Sequence, residues 1–290
     1  MRCRWCHNPE TQDPRQEMFY YENRCVSCGR CAAICPAAAS TLVNVVGGPP
    51  HLTVDRDKCV RCLQCTAVCL AGARGASGQQ MSVEEILREV LSDKLFYDNS
   101  GGGVTLSGGD PLMYPEFSLE LAKHLHAEGV HVAMETSCFP MQWKTIEPLV
   151  GEIDLFIVDI KSLSPSKHQE FTEWPLEPVL RNIKNLFERN ANVRIHIPLI
   201  PHFNDTKEDF AKYADFLGTY ADHIVGVDIL PYHGYGEGKY DSLGRIYKFK
   251  GVEESPAENI VPLVAILKSR GVENITVGGL VGITCARNRD

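Results

Sequence analysis

The sequence predicts an α/β protein: a partial, TIM-like (β/α) barrel of parallel strands with a small cysteine-rich segment inserted near its start. From about residue 80 onward, amphipathic helices alternate with short hydrophobic strands, which is typical of a parallel sheet covered by helices. Ten of the twelve cysteines lie in the first 69 residues, so the start of the chain differs in character from the rest. We expect the insert at residues 16–78 and the barrel at residues 79–290, after a short segment at 1–15.

The elements of the predicted barrel follow one another in order. Ser82 and Glu85 form a capping-box pattern that begins a helix extending to about Leu95. The second helix is predicted at 115–128 and ends at Gly129. Later helices are predicted at 142–150, 177–189, 207–217 and 257–270, and strands at 104–107, 131–135, 155–160, 193–199, 224–230 and 275–277. Six strands are fewer than the eight of a closed barrel, so we expect an open sheet.

Composition excludes several classes of function. Thirty-seven acidic and 29 basic residues give a net charge of −8, which argues against a general nucleic-acid binder and against binding to an anionic membrane. No apolar run approaches the roughly 18 residues that span a bilayer. The first ten residues contain no apolar signal segment, so a cytoplasmic location is expected. In that compartment, clustered thiols bind metal more often than they form disulfides.

Two cysteine runs share one spacing, C-x2-C-x2-C-x3-C, and the second run lies 34 residues after the first. The spacing is typical of bacterial ferredoxins, in which three cysteines of one run and the fourth of the other hold each [4Fe–4S] cluster. This pattern assigns one cluster to Cys25, Cys28, Cys31 and Cys69, and a second to Cys59, Cys62, Cys65 and Cys35. The alternative is a pair of zinc sites, although zinc sites usually use two cysteine pairs separated by a longer loop. Cys138 and Cys285 have no cysteine neighbour and are expected to be plain thiols.

Polar or glycine-rich groups follow four of the predicted strands. They are Ser107-Gly108-Gly109-Asp110, Glu135-Thr136-Ser137, Asp159-Ile160-Lys161 and Pro231-Tyr232-His233. Because the carboxyl ends of parallel strands share one face, these groups predict a site there. Simpler readings stay open: the glycines as a turn, Lys161 paired with Asp159 as a loop salt bridge, and His233 as a structural histidine.

The order and spacing of the motifs resemble a known family. The matching stretches are Cys3-Arg-Trp5-Cys6-His7-Asn8, GGGVTLSGGDPL at 101–112, METS at 134–137, VDIK at 158–161, IPLIP at 197–201 with Asn204-Asp205, and LPYHGYGEGKYDSLG at 230–244. Together they resemble the glycyl-radical enzyme activating enzymes, radical S-adenosylmethionine proteins related to pyruvate formate-lyase activating enzyme. Three positions depart from the pattern: Asp110 replaces a glutamate, His196 an arginine and His202 a glycine.

The resemblance implies a reaction and a set of roles. The reaction is reductive cleavage of S-adenosylmethionine to a 5′-deoxyadenosyl radical, which abstracts hydrogen from a glycine of a partner glycyl-radical enzyme, with a flavodoxin or ferredoxin-type electron donor. Cys3 and Cys6 would ligate the catalytic [4Fe–4S] cluster. The cofactor would contact Trp5 and His7 at adenine, Gly108 and Gly109 at the amino group, Glu135 and Thr136 near the ribose, Asp159, Ile160 and Lys161 near the carboxylate, and His233 at the adenosyl group.

The family signature, C-x3-C-x-φ-C, has three cysteines, of which the chain carries the last two. Residues 1–15 are therefore expected to be the remnant of the cluster loop in an N-terminally truncated sequence. Two other functions stay open: a two-cluster ferredoxin-like electron carrier with a non-catalytic barrel, and a radical enzyme that acts on a small molecule. The auxiliary clusters are expected either to relay electrons or to form a platform for the partner.

Overall fold

The computed structural model describes residues 1–139 and 142–278, so Cys285 lies outside the described residues. The strands are β1 Met18–Tyr20, β2 Ser40–Val43, β3 His51–Val54, β4 Arg74–Ala76, β5 Gly103–Leu106, β6 His131–Thr136, β7 Leu155–Asp159, β8 Val193–Leu199, β9 Ile224–Pro231 and β10 Ile275–Val277. The helices are α1 Arg30–Ala33, α2 Gln64–Ala67, α3 Val83–Val90, α4 Lys94–Ser100, α5 Pro115–Ala127, α6 Trp143–Ile146, α7 Pro165–Thr172, α8 Glu177–Glu188, α9 Lys207–Thr219, α10 Glu237–Leu243 and α11 Ala257–Ser269.

The chain divides into two compact units. The first unit comprises Met1–Arg4, Met81–Gly234 and the chain from Gly251 onward. The second comprises Trp5–Gln80 and Tyr235–Lys250, so it contains all but one of the ten clustered cysteines, Cys3 being the exception. Each unit is therefore assembled from segments that are distant in sequence.

The first unit is built on one sheet of six parallel strands in the order β5-β6-β7-β8-β9-β10. Each successive strand adds on the same side of its predecessor, which is the winding of a (β/α) barrel. Within the described residues β5 and β10 are not paired with each other, so the sheet is open. The predicted parallel sheet and partial barrel are confirmed.

The core of the first unit lies between this sheet and the helices that cover one of its faces. Strand side chains and helix side chains interlock there without solvent contact, among them Met134, Phe156, Val158, Ile195, Leu125, Ile183, Leu186, Leu217 and Leu263. Burying one such side chain contributes about 1.5–3 kcal/mol. Burial alternates along β7 and β8, because the other face of the sheet carries half-buried residues such as Ile157 and His196.

Helix limits differ from the predictions where side chains compete with the backbone. The Ser82–Glu85 capping box is present, but α3 ends at Val90, and α4 follows after a 3-10 turn at Leu91–Asp93. The Ser92 hydroxyl donates to the Glu89 carbonyl, 2.6 Å away, in the last turn. The predicted helix 142–150 is α6 followed by a 3-10 turn at Glu147–Leu149, because Pro148 lacks an N–H to continue it. Helices α7 and α10 were not predicted.

The second unit has little regular structure. Two antiparallel pairs, β1 with β4 and β2 with β3, hold the cysteine runs. The segment 235–250 packs against the start of the unit: Lys239 forms a 2.7 Å ion pair with Glu10, and Arg245 a 2.5 Å ion pair with Glu17. Trp5 meets Phe249 edge-to-face, with ring centroids 6.1 Å apart. No helix within the described residues is both long enough and apolar enough to cross a membrane.

Candidate functional site at the strand ends and the cysteine cavities

The loop after β5, Ser107-Gly108-Gly109-Asp110, is called the glycine loop, and its backbone is accessible to solvent. Gly108 has φ +113°, a conformation that L side chains rarely adopt, and a Cβ added there would meet no atom within 4 Å. Both Gly108 and Gly109 are exposed. The Asp110 carboxylate anchors the loop, since it accepts hydrogen bonds from the hydroxyls of Thr136 at 2.7 Å and Ser137 at 2.6 Å. The loop can therefore offer N–H and C=O groups to a ligand.

Charged groups at the ends of β6 and β7 lie close to a histidine in the middle of β8. The Ser107 hydroxyl donates to Glu135 Oε2 at 2.6 Å, and Lys161 Nζ donates to Asp159 Oδ2 at 2.9 Å. Between the two carboxylates stands His196, whose Nδ1 lies 3.8 Å from Glu135 Oε1 and 3.9 Å from Asp159 Oδ1. The predicted site residues Glu135, Asp159 and Lys161 thus lie close together. His196, which was not predicted as a site residue, lies among them.

A buried ion pair lies beneath His196. Asp228 on β9 is 5% exposed and accepts from Arg194 Nε at 2.5 Å and Nη2 at 2.6 Å, and His196 Nε2 lies 3.1 Å from its Oδ2. The Thr276 hydroxyl also donates to it. Burial opposes ionisation of Asp228, but hydrogen bonds from His196, Arg194 and Thr276 outweigh it and hold the pKa of Asp228 well below its usual range. The Asp228 carboxylate consequently holds the Nε2 side of the His196 ring in place.

Asn204 joins the ends of β7 and β8. Its side chain is fully buried, and its amide nitrogen donates to the carbonyls of Lys161 at 2.9 Å and Pro198 at 2.7 Å. Its amide oxygen accepts from the Ile200 N–H at 2.7 Å. The Asn204-Asp205 motif therefore fixes the backbone of Lys161. Sequence reasoning singled out the motif without assigning this role.

The first four residues of the chain belong to the first unit. The backbone N–H groups of Arg2 and Arg4 donate to the carbonyls of Thr172 at 3.0 Å and Phe171 at 3.1 Å, at the end of α7. Arg4 also lies over the Phe171 ring at 4.5 Å. These contacts bury Cys3, which is 7% exposed.

Trp5, Cys6 and His7 belong to the second unit. A Cβ at Gly236 would lie 3.1 Å from the Cα of His7, so a side chain there would fit only if one of the two segments moved by a few tenths of an ångström. His233, the last predicted site residue, is half-buried and belongs to the first unit.

Two cavities in the second unit are lined by cysteines. One is bordered by Cys25, Cys28, Cys31 and Cys69, and the other by Cys35, Cys59, Cys62 and Cys65. Each cavity thus takes three cysteines from one run and the fourth from the other run. Among the described residues, no three His, Cys, Asp or Glu side chains are arranged as ligands of a single metal ion.

The two runs have the same backbone shape. Ser27 and Gly29 in the first run have φ +52° and +74°, and Arg61 and Leu63, 34 positions later, have φ +57° and +59°. A short helix, α1 or α2, follows in each case. Left-handed residues turn N–H groups toward a concave surface, which favours binding of an anion. N–H groups already contact sulfur, since Ala39 N lies 3.2 Å from Cys35 Sγ and Ser27 N lies 3.4 Å from Cys25 Sγ.

The first unit is an open parallel α/β sheet with an exposed glycine loop and charged groups at its carboxyl edge, which is a candidate enzyme site. Comparison with known proteins narrows the class. A family model described as the Radical SAM superfamily matches residues 1–217. The benzylsuccinate synthase activating enzyme of Thauera aromatica is 58% identical over 290 residues, covering 99% of this chain and 87% of that protein.

Two further relatives agree. The choline trimethylamine-lyase activating enzyme of Oleidesulfovibrio alaskensis is 37% identical over 253 residues, covering 87% of this chain and 81% of that protein. A solved domain of pyruvate-formate lyase-activating enzyme from Bacteroides vulgatus superposes with a TM-score of 0.52 at 29% identity, covering 61% of this chain and 99% of that one. The chain belongs to the radical SAM superfamily and, within it, to the glycyl-radical enzyme activating enzymes. It is a radical SAM oxidoreductase that uses a [4Fe–4S] cluster and S-adenosylmethionine and acts on a glycyl-radical enzyme.

Proposed function

We propose that the strand ends of the first unit bind S-adenosylmethionine, and that Cys3 and Cys6 ligate the catalytic cluster. The observation that carries the proposal is the grouping of Gly108, Lys161 and two carboxylates at one edge of the sheet. When bound, the reduced cluster and S-adenosylmethionine supply a 5′-deoxyadenosyl radical that takes a hydrogen atom from a glycine Cα, leaving methionine, 5′-deoxyadenosine and a glycyl radical.

The residues of the chain bind and orient S-adenosylmethionine in this proposal. Lys161 offers an ammonium to the methionine carboxylate, beside Asp159 and Ile160. The backbone of Gly108 and Gly109 receives the amino group. The remaining proposed contacts are Glu135 and Thr136 near the ribose, Trp5 and His7 at adenine, and His233 at the adenosyl group. The Thr136 hydroxyl donates to Asp110, which supports a role for Thr136 in holding the glycine loop.

We further propose that residues 16–78 form a ferredoxin-type insert with two auxiliary [4Fe–4S] clusters, between the cluster loop at 1–15 and the barrel at 79–290. The crossed sets of four cysteines around the two cavities fit two such clusters, as do the N–H groups directed at Cys25 and Cys35 sulfur. Backbone N–H groups also favour the thiolate of Cys35: burial opposes ionisation, but hydrogen bonds from Ala39, Ala37 and Ser40 lower the pKa of Cys35. The spacing favours clusters over zinc, because zinc sites usually use two cysteine pairs separated by a longer loop.

Iron counting in double variants tests this ligand set. We expect Cys31→Ala to lose about four irons per chain, since one four-iron cluster loses a ligand. Adding Cys69→Ala should cost no more iron, because both cysteines serve the same cluster, whereas adding Cys35→Ala should cost about four more. The measurement is iron per chain after anaerobic reconstitution of the whole protein.

Cys138→Ala is the matched control, because Cys138 is a buried cysteine outside both sets and should leave iron unchanged. If Cys31→Ala/Cys69→Ala loses the iron of both clusters, each run holds its own cluster and the crossed ligation is wrong. Zinc at about two per chain without auxiliary iron would refute the clusters themselves.

We infer that the partner is a glycyl-radical enzyme of the benzylsuccinate synthase type, and that a flavodoxin or ferredoxin-type protein supplies the electron. The activating enzyme of benzylsuccinate synthase is 58% identical to this chain, against 31–38% for activating enzymes whose names carry other substrates. A surface that recognises one partner diverges with that partner, so this gap supports the assignment.

The test is anaerobic incubation of the protein with purified benzylsuccinate synthase, reductant and S-adenosylmethionine. We expect the electron paramagnetic resonance signal of a glycyl radical, together with one 5′-deoxyadenosine per radical. Choline trimethylamine-lyase is the comparison partner and should give a much weaker signal. Formation of 5′-deoxyadenosine without a radical on either partner would favour a small-molecule substrate, and no 5′-deoxyadenosine at all would favour the electron carrier.

A further inference from the structure

Arg74 is a buried cation without a carboxylate partner. Its side chain is 4% exposed, and within the described residues none of the observed ion pairs includes its guanidinium. Its neighbours are the Met18 sulfur at 3.1 Å, the Ser40 hydroxyl at 3.3 Å and the Tyr20 ring at 4.3 Å, and its Nε has no hydrogen-bond partner among the described residues. A buried charge is costly unless an opposite charge compensates it. The protein should therefore bind an anion close to Arg74.

The position of Arg74 indicates which anion. The residue begins β4, opposite Tyr20 on β1, and lines the cavity bordered by Cys25, Cys28, Cys31 and Cys69. Its Nη2 lies 3.8 Å from Cys31 Sγ. A [4Fe–4S] cluster with four thiolate ligands carries net negative charge, and its reduction potential depends on nearby charge and on hydrogen bonds to its sulfurs.

The arginine that lines the other cavity is paired differently. The Arg61 guanidinium forms ion pairs with Asp13 at 2.6 Å and Glu17 at 2.9 Å. The same two carboxylates also pair with Arg15 at 2.8 Å and Arg245 at 2.5 Å. Arg61 therefore has carboxylate partners of its own in the protein, whereas the ion pairs of the described residues include none for Arg74.

We propose that Arg74 is the counter-charge of the cluster held by Cys25, Cys28, Cys31 and Cys69, and that it raises the reduction potential of this cluster. The inference rests on the auxiliary clusters proposed above. Reduction adds one electron and makes the cluster more negative, so a buried cation stabilises the reduced form more than the oxidised form. Arg74 is a positioning residue in this role, since it acts through the cluster.

The test is an anaerobic redox titration of the reconstituted whole protein with dithionite, followed by electron paramagnetic resonance. Cys28→Ser and Cys62→Ser assign the two auxiliary signals, because each changes one ligand of one set. We expect Arg74→Gln to lower the reduced-to-oxidised ratio of the Cys28 cluster at least tenfold at a fixed potential, which is about 59 mV for one electron. The Cys62 cluster should shift by clearly less.

Arg30→Gln is the matched control: Arg30 lines the same cavity but is exposed, so water screens its charge and the shift should be small. Arg74→Lys keeps the charge and should keep both the iron and a potential closer to wild type than Arg74→Gln. If Arg74→Gln loses that cluster, retention in Arg74→Lys still supports the counter-charge, and loss in both variants overturns it in favour of packing.

Unchanged potentials in Arg74→Gln with full iron content would also overturn the inference. Failure of the underlying proposal has a separate signature, because wild-type protein would then lack the two auxiliary signals and their iron. The two failures are thus distinguished before any arginine variant is made.

Discussion

Replacing Asp228 by alanine should weaken the β8–β9 region by about 3–5 kcal/mol, the usual cost of removing one partner of a buried ion pair. The variant leaves the half-buried Arg194 guanidinium without its carboxylate, and it removes the acceptor of His196 and Thr276. Hydrogen exchange of the amides in β8 and β9 measures the effect. Protection should fall by about two decades or more, at 1.4 kcal/mol per decade.

The control is Asp215→Ala, which breaks an ion pair of the same kind with Arg270 at 2.9 Å, where both side chains are more than half exposed. Exposed pairs contribute about 0–1 kcal/mol, so exchange should hardly change. Equal effects of the two substitutions would mean that the buried network adds nothing beyond a surface pair.

The contribution of Asp228 to the free energy of unfolding depends on pH in a defined direction. Because the pKa of Asp228 is lower in the folded protein than in the unfolded chain, its contribution to stability is fully present above the unfolded value. That contribution disappears as pH falls through the folded pKa. The difference between wild type and Asp228→Ala should therefore be constant near neutral pH and shrink only in strong acid.

The sequence predicts the barrel well because each strand carries its own signal. The apolar runs at 155–160 and 193–199 correspond to β7 and β8 within a residue at each end. The second unit is less predictable, since β1 to β4 are only three or four residues long and are held by long-range contacts. Segment 235–250 also belongs to this unit, and its ion pairs with Glu10 and Glu17 hold it there. Contacts between residues so far apart in sequence cannot be predicted from a local pattern.

The site is predictable only in part for the same reason. Strand-end positions identify Glu135, Asp159 and Lys161 because the geometry of a parallel sheet brings them together. Arg194 and Asp228 do carry a signal, since each is a charged residue within an apolar strand, and such residues are usually paired. Which residues pair depends on strand register, and that becomes visible only in the folded sheet.

Lys161→Ala should weaken S-adenosylmethionine binding about ten- to a hundredfold. Losing one charge-assisted hydrogen bond to the methionine carboxylate costs on the order of 1.5–3 kcal/mol, and 1.4 kcal/mol is one decade of affinity. The Lys161 side chain is 13% exposed, and Asn204 fixes its carbonyl, so the ammonium is positioned before the cofactor arrives. Equilibrium dialysis of labelled S-adenosylmethionine against anaerobically reconstituted protein measures the change.

Lys167→Ala is the matched control, because Lys167 also pairs with a carboxylate, Asp209 at 2.7 Å, but belongs to helix α7 and not to a strand end. It should leave the affinity unchanged, and neither variant should change the auxiliary iron, since the clustered cysteines at 25–69 lie in the second unit. The Lys161–Asp159 ion pair has two possible meanings, a cofactor contact or an ordinary loop salt bridge. Unchanged cofactor affinity in Lys161→Ala, combined with weaker binding of the glycyl-radical partner, would move Lys161 from the cofactor site to the protein interface.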